Sequence, residues 1–218
     1  MPDPIDTSAV QLCLIDELTT LLQAAQIPHW LFGGWVVDFL VGEITRTHED
    51  IDLIIWRRDV PAFRQLLERH GYTGGDSPTG PELDARFFKQ NQVIDVMFVH
   101  PQEDGDVYWS DWRLPPGALG ARHGHVEKIT CLIVSPEVLL ECKEACLRQA
   151  DDPADLAKHK HDAARLRSLL SGLTSATSAS QRSTRSGGRP APLQVECRRD
   201  RRCSRRLHRQ PGPVAEEN

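Results

Sequence analysis

The stretch that most limits what this chain can fold into runs from Leu31 to Ile55, with Gly33-Gly34-Trp35 near its start and Asp50-Ile51-Asp52-Leu53 near its end. Side chains alternate faces along an extended strand, so Asp50 and Asp52 share one face while Ile51 and Leu53 share the other. The apolar face can be buried, which leaves two carboxylates side by side. Like charges that close raise each other's pKa unless a cation lies between them. A hard divalent ion with oxygen ligands, Mg²⁺ first among them, resolves the conflict. Gly33 and Gly34 precede a short helix and let backbone N–H groups approach a phosphate. Metal and phosphate together point to nucleotide chemistry.

Around this stretch the pattern reads as alternating helices and strands. Val10, Leu14, Leu18, Leu21, Leu22 and Ala25 recur at helical spacing behind a cap at Asp6, Thr7 or Ser8, and Pro28 forbids continuation. His29–Phe32 reads as a buried strand, Trp35–Leu40 as a helix closed by Gly42, and Asp50–Trp56 as the next strand. A helix over 60–70 stops at Gly71. The Gly- and Pro-rich segment 74–81 predicts a loop. Residues 85–89 and 92–99 predict a hairpin turning through Asn91, residues 100–117 a loop, and 128–134 a further strand. Ser135-Pro136-Glu137 opens a helix to about Gln149, and Asp152-Pro153 opens a second to about Leu170, with Gly172 ending the fold. Beyond it Ser, Thr, Arg, Gly and Pro dominate, a composition that predicts disorder.

Asp95 stands among Val93, Ile94, Val96, Met97 and Phe98, where a carboxylate needs a charged or hydrogen-bonded partner. It is either a salt-bridged or edge-exposed residue, or the third member of a cluster with Asp50 and Asp52. The aromatic and acidic run from Glu103 to Trp112 is either a solvated loop or a surface suited to a cationic ring-shaped molecule. Cys142 with Cys146, His123 with His125, and His159 with His161 lack ligand partners at recognised spacing, so buried thiols and ordinary surface imidazoles are the better reading.

Charge and composition bound the partners. The formal charge is −5, but residues 171–218 hold ten Arg against four acids, which puts the first 170 residues at −11. An acidic body disfavours nucleic acid and suits a polycationic substrate. No apolar run approaches membrane-spanning length, and Met1-Pro2-Asp3-Pro4 begins no signal-peptide pattern, so the expected compartment is the cytoplasm, with six reduced cysteines.

The block Gly33-Gly34-Trp35-x-x-Asp38, Gly42, Thr45-Arg46-x-His48-x-Asp50-Ile51-Asp52-Leu53 resembles the antibiotic nucleotidyltransferases of the polymerase β superfamily. Within them it is most similar to the aminoglycoside enzymes acting on the 2''-hydroxyl and to the small lincosamide enzymes. The resemblance spans roughly residues 12 to 170, strongest in that block, weaker at Val93-Ile94-Asp95-Val96 and faint in the last two helices. It implies an α+β, polymerase-β-like nucleotidyltransferase fold, a mixed sheet flanked by helices. The corresponding division is a nucleotidyltransferase domain over 1–134, C-terminal helices packed on it over 135–171, and a basic disordered tail over 172–218. The implied activity is Mg²⁺-dependent transfer of a nucleoside monophosphate, AMP from ATP or another NTP, to a hydroxyl of a small molecule, an aminoglycoside-type antibiotic first, which the acidic body also suits. Pyrophosphate leaves, and a homodimer is compatible with this.

By the same resemblance Gly33 and Gly34 hold the triphosphate, and Asp50 and Asp52 bind metal. Asp95 is the third carboxylate, as metal ligand or general base. Arg46 and His48 steer phosphate or brace the loop. Lys158 and Lys160 are further candidate phosphate contacts. Two other readings compete: a tRNA-nucleotidyltransferase head, which Val37 in place of an Arg argues against, and a non-catalytic, antitoxin-like module that binds a protein.

Overall fold

A computed structural model describes residues 7–77, 79–103 and 105–180. Helix α1 (Thr7–Ala24) buries Leu14, Ile15, Leu18 and Leu22 at helical spacing, and Gln11 and Thr19 share that buried face. Strand β1 (His29–Phe32) leads into α2 (Trp35–Val41), which Gly42 closes in the left-handed region at φ 90° with its N–H on the Asp38 carbonyl, 2.8 Å away. Strand β2 (Asp50–Trp56), one 3-10 turn and α3 (Val60–Arg69) follow.

Five strands form the body of one mixed sheet in the order β1-β2-β5-β4-β3, where β3 is Thr73–Asp76, β4 is Asp84–Lys89 and β5 is Gln92–Pro101. The central pair β2–β5 is parallel, and the other pairs are antiparallel. Ile51, Leu53 and Ile55 of β2 and Ile94, Val96 and Phe98 of β5 are buried at alternate positions, as the period-two pattern requires. Helix α1 lies against β2 and β5, and α3 lies against β3. The opposite face carries the polar residues of the same strands.

Three expectations about the strands are corrected. The segment 74–81 begins as an edge strand, β3: Gly74 lies so close to β4 that a Cβ there would stand 2.7 Å from the Arg86 carbonyl oxygen. The expected loop over 100–117 contains a short hairpin, β6 (Val107–Trp109) with β7 (Trp112–Leu114), turned through Ser110 at φ 53° and joined to β5 at His100 and Pro101. The single strand expected over 128–134 is β9 (Ile129–Leu132), paired with a strand not foreseen, β8 (His123–Val126). The pattern of β8 is hard to see in sequence because one of its two inward positions is Gly124, where a Cβ would meet that of Phe39 at 2.8 Å.

Helix α4 (Pro136–Gln149) precedes α5, which starts at Pro153 and, contrary to the expectation that Gly172 ends the fold and opens a disordered tail, continues through it to Ser180. A single glycine inside a helix costs only about 1 kcal/mol, and no proline follows it before Ser180. The chain divides into compact units over 1–140 and 141–218. Within the second, Lys143 and Asp162 form a buried ion pair at 2.9 Å, and Arg167 pairs with Glu144 at 2.7 Å. The tail expected to be disordered lies, from 181 onward, outside the described residues. No described helix is long and apolar enough to cross a membrane.

Candidate active site

Strand register assembles the polar face. In the parallel pair Asp52 stands opposite Asp95, and in the antiparallel hairpin Asp95 stands opposite Arg86. On the far side Asp52 stands opposite Phe32 of β1. Residues paired across a ladder share a face, so Arg86, Asp95, Asp52 and Phe32 form one row across four strands. Asp50 lies two residues before Asp52 on the same face. One oxygen from each of Asp50, Asp52 and Asp95 lies within 4.8 Å of the others, and this is the cluster of metal-ligating type found among the described residues. Asp95 is buried, while Asp50 and Asp52 are half-buried.

The hairpin turn fixes this row. Gln90 and Asn91 both have positive φ, 51° and 62°, so β4 and β5 join through two residues with Lys89 opposite Gln92. Counting back places Arg86 opposite Asp95. Its Nε and Nη2 donate to Oδ1 and Oδ2 of Asp95, both at 2.8 Å, a bidentate fork. Asp95 raises the Arg86 pKa above its ordinary value, first through this hydrogen bond and then by its charge, with smaller contributions from Asp50 and Asp52. The two readings of Asp95 are therefore both realised: it is salt-bridged and it joins the cluster.

The glycines hold the loop against the carboxylates. Gly33 has φ 72°, and a Cβ there would lie 1.9 Å from Oδ2 of Asp52. At Gly34 a Cβ would lie 2.3 Å from Nη2 of Arg46 and 2.6 Å from Nδ1 of His48. Only a bare backbone lets these three side chains close around the turn.

His48 is tied from several sides. Its Nε2–H donates to Oδ2 of the fully buried Asp38 at 2.6 Å, and its ring stacks on Trp35 with centroids 4.4 Å apart. Oδ1 of Asp38 accepts from the Thr45 amide at 3.1 Å and from the Thr45 hydroxyl. Buried Gln11 accepts from the Trp35 indole N–H at 3.1 Å and donates to the His48 carbonyl at 3.3 Å. Thr45-Arg46-x-His48 thus folds back onto α2, with the imidazole held between Asp38 and Trp35. Arg46 donates to the Thr47 carbonyl at 2.8 Å and is half-buried beside Gly34.

The β6–β7 hairpin extends the row on the Phe32 side. Trp112 packs on Phe32 with centroids 6.0 Å apart, and Trp109 meets Trp112 edge-on at 6.5 Å. The Trp109 indole N–H donates to the Leu83 carbonyl at 2.8 Å, and Arg113 pairs with buried Asp106. Trp112 remains half-buried. Lys158 and Lys160 lie in the second unit, where Lys158 pairs with Asp155 at 2.8 Å and Lys160 is exposed.

Sequence reasoning missed Arg86 and Gln11. A count outward from the Gln90-Asn91 turn would have found Arg86; nothing in the sequence distinguishes Gln11 from a solvated helix residue.

The comparisons agree with this geometry. A family model for aminoglycoside-2''-adenylyltransferase matches residues 14–111. A 2''-aminoglycoside nucleotidyltransferase of Klebsiella pneumoniae is 40% identical over 43 residues, 20% of this chain and 24% of that protein. A lincosamide resistance protein of Staphylococcus haemolyticus is 38% identical over 52 residues, 24% of this chain and 32% of that protein. The aligned stretches therefore span about a quarter to a third of these curated relatives. In fold the chain is similar to ANT(2'')-Ia in complex with adenylyl-2''-tobramycin, with TM-score 0.59 and 17% identity, covering 77% of this chain and 99% of that one. It is also similar to the lincosamide antibiotic adenylyltransferase LnuA, lincomycin-bound, with TM-score 0.52 and 20% identity over 69% of this chain and 92% of that one. The chain has the α+β fold of the antibiotic nucleotidyltransferases, and its acidic row and glycine turn lie inside the stretch that matches the aminoglycoside-2''-adenylyltransferase family.

Proposed function

We propose that this protein transfers a nucleoside monophosphate, AMP from ATP, to a hydroxyl of an aminoglycoside-type antibiotic and releases pyrophosphate. The observation that carries this is the convergence of three carboxylates within 4.8 Å beside a turn whose Gly33 can bear no side chain. The donor set fits a hard divalent ion: oxygens only, with more negative charge than Arg86 alone offsets. Asp50 and Asp52 would hold it, as the half-buried pair next to the Gly33-Gly34 backbone. When bound, Mg²⁺ would supply charge neutralisation at the phosphate under attack and at the leaving pyrophosphate. The reaction is expected to run in the cytoplasm, where both Mg²⁺ and ATP are at hand.

The protein's own residues divide the remaining work. Gly33 and Gly34 admit the triphosphate chain to within backbone distance of Asp52, and Arg46 flanks that approach with a positive charge. Asp95 receives the proton of the acceptor hydroxyl. Both its oxygens accept from Arg86, yet each carboxylate oxygen has a second lone pair for this purpose. Trp112, on Phe32, offers an aromatic face to a cationic ring. The acidic body favours an aminoglycoside over a lincosamide, because aminoglycosides are polycations and lincosamides carry fewer charges.

The test is incubation with Mg²⁺, labelled ATP and panels of aminoglycosides and lincosamides, followed for pyrophosphate release and label on the acceptor. Transfer to aminoglycosides is expected, and Asp52→Asn should lower kcat at least about a thousandfold, as loss of a principal electrostatic group does. Absence of transfer to every acceptor, or full activity of Asp52→Asn, would overturn the proposal.

A further inference from the structure

One member of the acidic row has no role in the chemistry just described. Arg86 enters the polar face from β4, with its side chain 28% exposed and that of Asp95 5% exposed. A salt bridge needed only to tie β4 to β5 could use any cation and any geometry, and the ladder already joins those strands over six paired positions from Asp84–Met97 to Lys89–Gln92. The geometry here is specific: Nε and Nη2 meet the two oxygens in parallel at 2.8 Å, an arrangement a lysine cannot reproduce. The fork fixes the plane of the carboxylate, and so fixes where its outward lone pairs point. It also sets the charge: three carboxylates and one guanidinium leave two negative charges, matched by a single divalent ion.

We propose that Arg86 is a positioning residue of the transfer site, clamping both oxygens of Asp95 so that this carboxylate faces the acceptor hydroxyl while a divalent cation is held by Asp50 and Asp52. The inference rests on the nucleotidyl-transfer function proposed above. Arg86 touches neither acceptor nor nucleotide; it acts through Asp95. With the guanidinium charge removed as well as the fork, Asp95 can turn toward its two neighbours, whose oxygens lie within 4.8 Å, and become a third metal ligand. Arg86 therefore weakens cation binding and favours transfer.

The two readouts together separate the role from a merely structural one, because a bridge needed only for stability would leave kcat unchanged in a folded variant that keeps the charge. Mn²⁺ serves as the probe, titrated into the full chain without nucleotide and followed by the loss of its free-ion paramagnetic resonance signal. Steady-state kinetics are run in parallel. In Arg86→Gln, removal of a unit charge a few ångströms from a divalent ion is expected to tighten Mn²⁺ binding about tenfold, even with water-like screening. In the same variant kcat should fall about a hundredfold with the KM for ATP held within about twofold, the effect of a misplaced base. Arg86→Lys keeps the charge and loses the fork: Mn²⁺ binding stays within about twofold of the wild type while kcat still falls at least about tenfold. If Arg86→Gln does not fold, Arg86→Lys decides alone.

Unchanged Mn²⁺ affinity in Arg86→Gln, or wild-type kcat in Arg86→Lys, overturns the inference. If the wild type binds Mn²⁺, Asp50→Asn abolishes that binding and the Arg86 variants behave as wild type, the inference alone fails. If the wild type binds no Mn²⁺ and also transfers no label to any acceptor, the nucleotidyl-transfer proposal falls and takes the inference with it; if it transfers label without binding Mn²⁺ in the absence of nucleotide, the kcat of Arg86→Lys decides the inference.

Discussion

Gly33 shows how much a single missing side chain decides. A Cβ at that position would occupy the space of an Asp52 carboxylate oxygen, 1.9 Å away, and the backbone at φ 72° is strained for any other residue. Gly33→Ala is expected to cost about 1–2 kcal/mol of stability from the backbone alone. Displacing Asp52 should lower kcat about a hundredfold or more, because an ångström-scale misplacement of a reacting group is enough for that. Thermal melts and steady-state kinetics on the variant check both, and a variant with normal kcat would show that Asp52 need not hold its observed position. At this scale much of the site is legible in the sequence. Asp50 and Asp52 declare themselves by alternation, and Asp95 by standing charged among apolar residues. Arg86 does not, because an arginine in a half-exposed strand is unremarkable until a cross-strand register gives it a partner. His48 is legible as a marked residue but not in its duty, since its bond to Asp38 depends on a loop reversal that no local pattern encodes.

Elements add two consequences. The β6–β7 hairpin brings Trp112 to Phe32, whose cross-strand neighbour is Asp52. If Trp112 lines the acceptor side, Trp112→Ala should raise the acceptor KM about tenfold, the upper range of a cation–π contact, and leave the KM for ATP nearly unchanged. An equal rise in both would place Trp112 elsewhere. In the helical pair, His159 lies partly buried beside Lys143 and Lys158, and its Nδ1 is buried without a hydrogen-bond partner. Desolvation first, then the two lysine charges, lower its pKa to about 4 from 6.5. The unfolded chain therefore binds a proton at this residue that the folded chain refuses. Its contribution to stability is complete above pH 6.5 and is lost as the pH falls toward 4. His159→Gln should lose less of its Tm than the wild type on acidification across that window; identical losses would show that His159 protonates freely in the folded state.

For the whole molecule, charge is the property with the widest reach. The first 170 residues carry −11 while the acceptor proposed for them is a polycation. Raising the salt from about 0.01 M to about 1 M shortens the Debye length from about 30 Å to about 3 Å. The KM for an aminoglycoside should therefore climb steeply with salt, whereas the KM for ATP, an anion, should not climb. Parallel salt dependence of the two constants would remove electrostatic attraction as the basis of acceptor choice. Apart from β3, the order of helices and strands up to β5 is legible because the elements are bounded by Pro28, Gly42, Gly71 or the Gln90-Asn91 turn and carry a clear period. The strands missed, β3, β6, β7 and β8, are three or four residues long, and β3 and β8 have glycines where an apolar side chain would have marked the inward face. Short edge strands are specified by what they pair with, and that information lies elsewhere in the chain. The parallel alignment of β2 with β5 has a cost that appears only during folding. Asp52 and Asp95 belong to segments separated by α3, β3 and β4, so the ladder joining them is among the least local in the sheet. Long-range pairings form late, because the intervening loop must first be closed against its entropy. Here the step that closes the sheet is also the step that forces like charges together, so the same contact that creates the site is one the chain has least electrostatic reason to make.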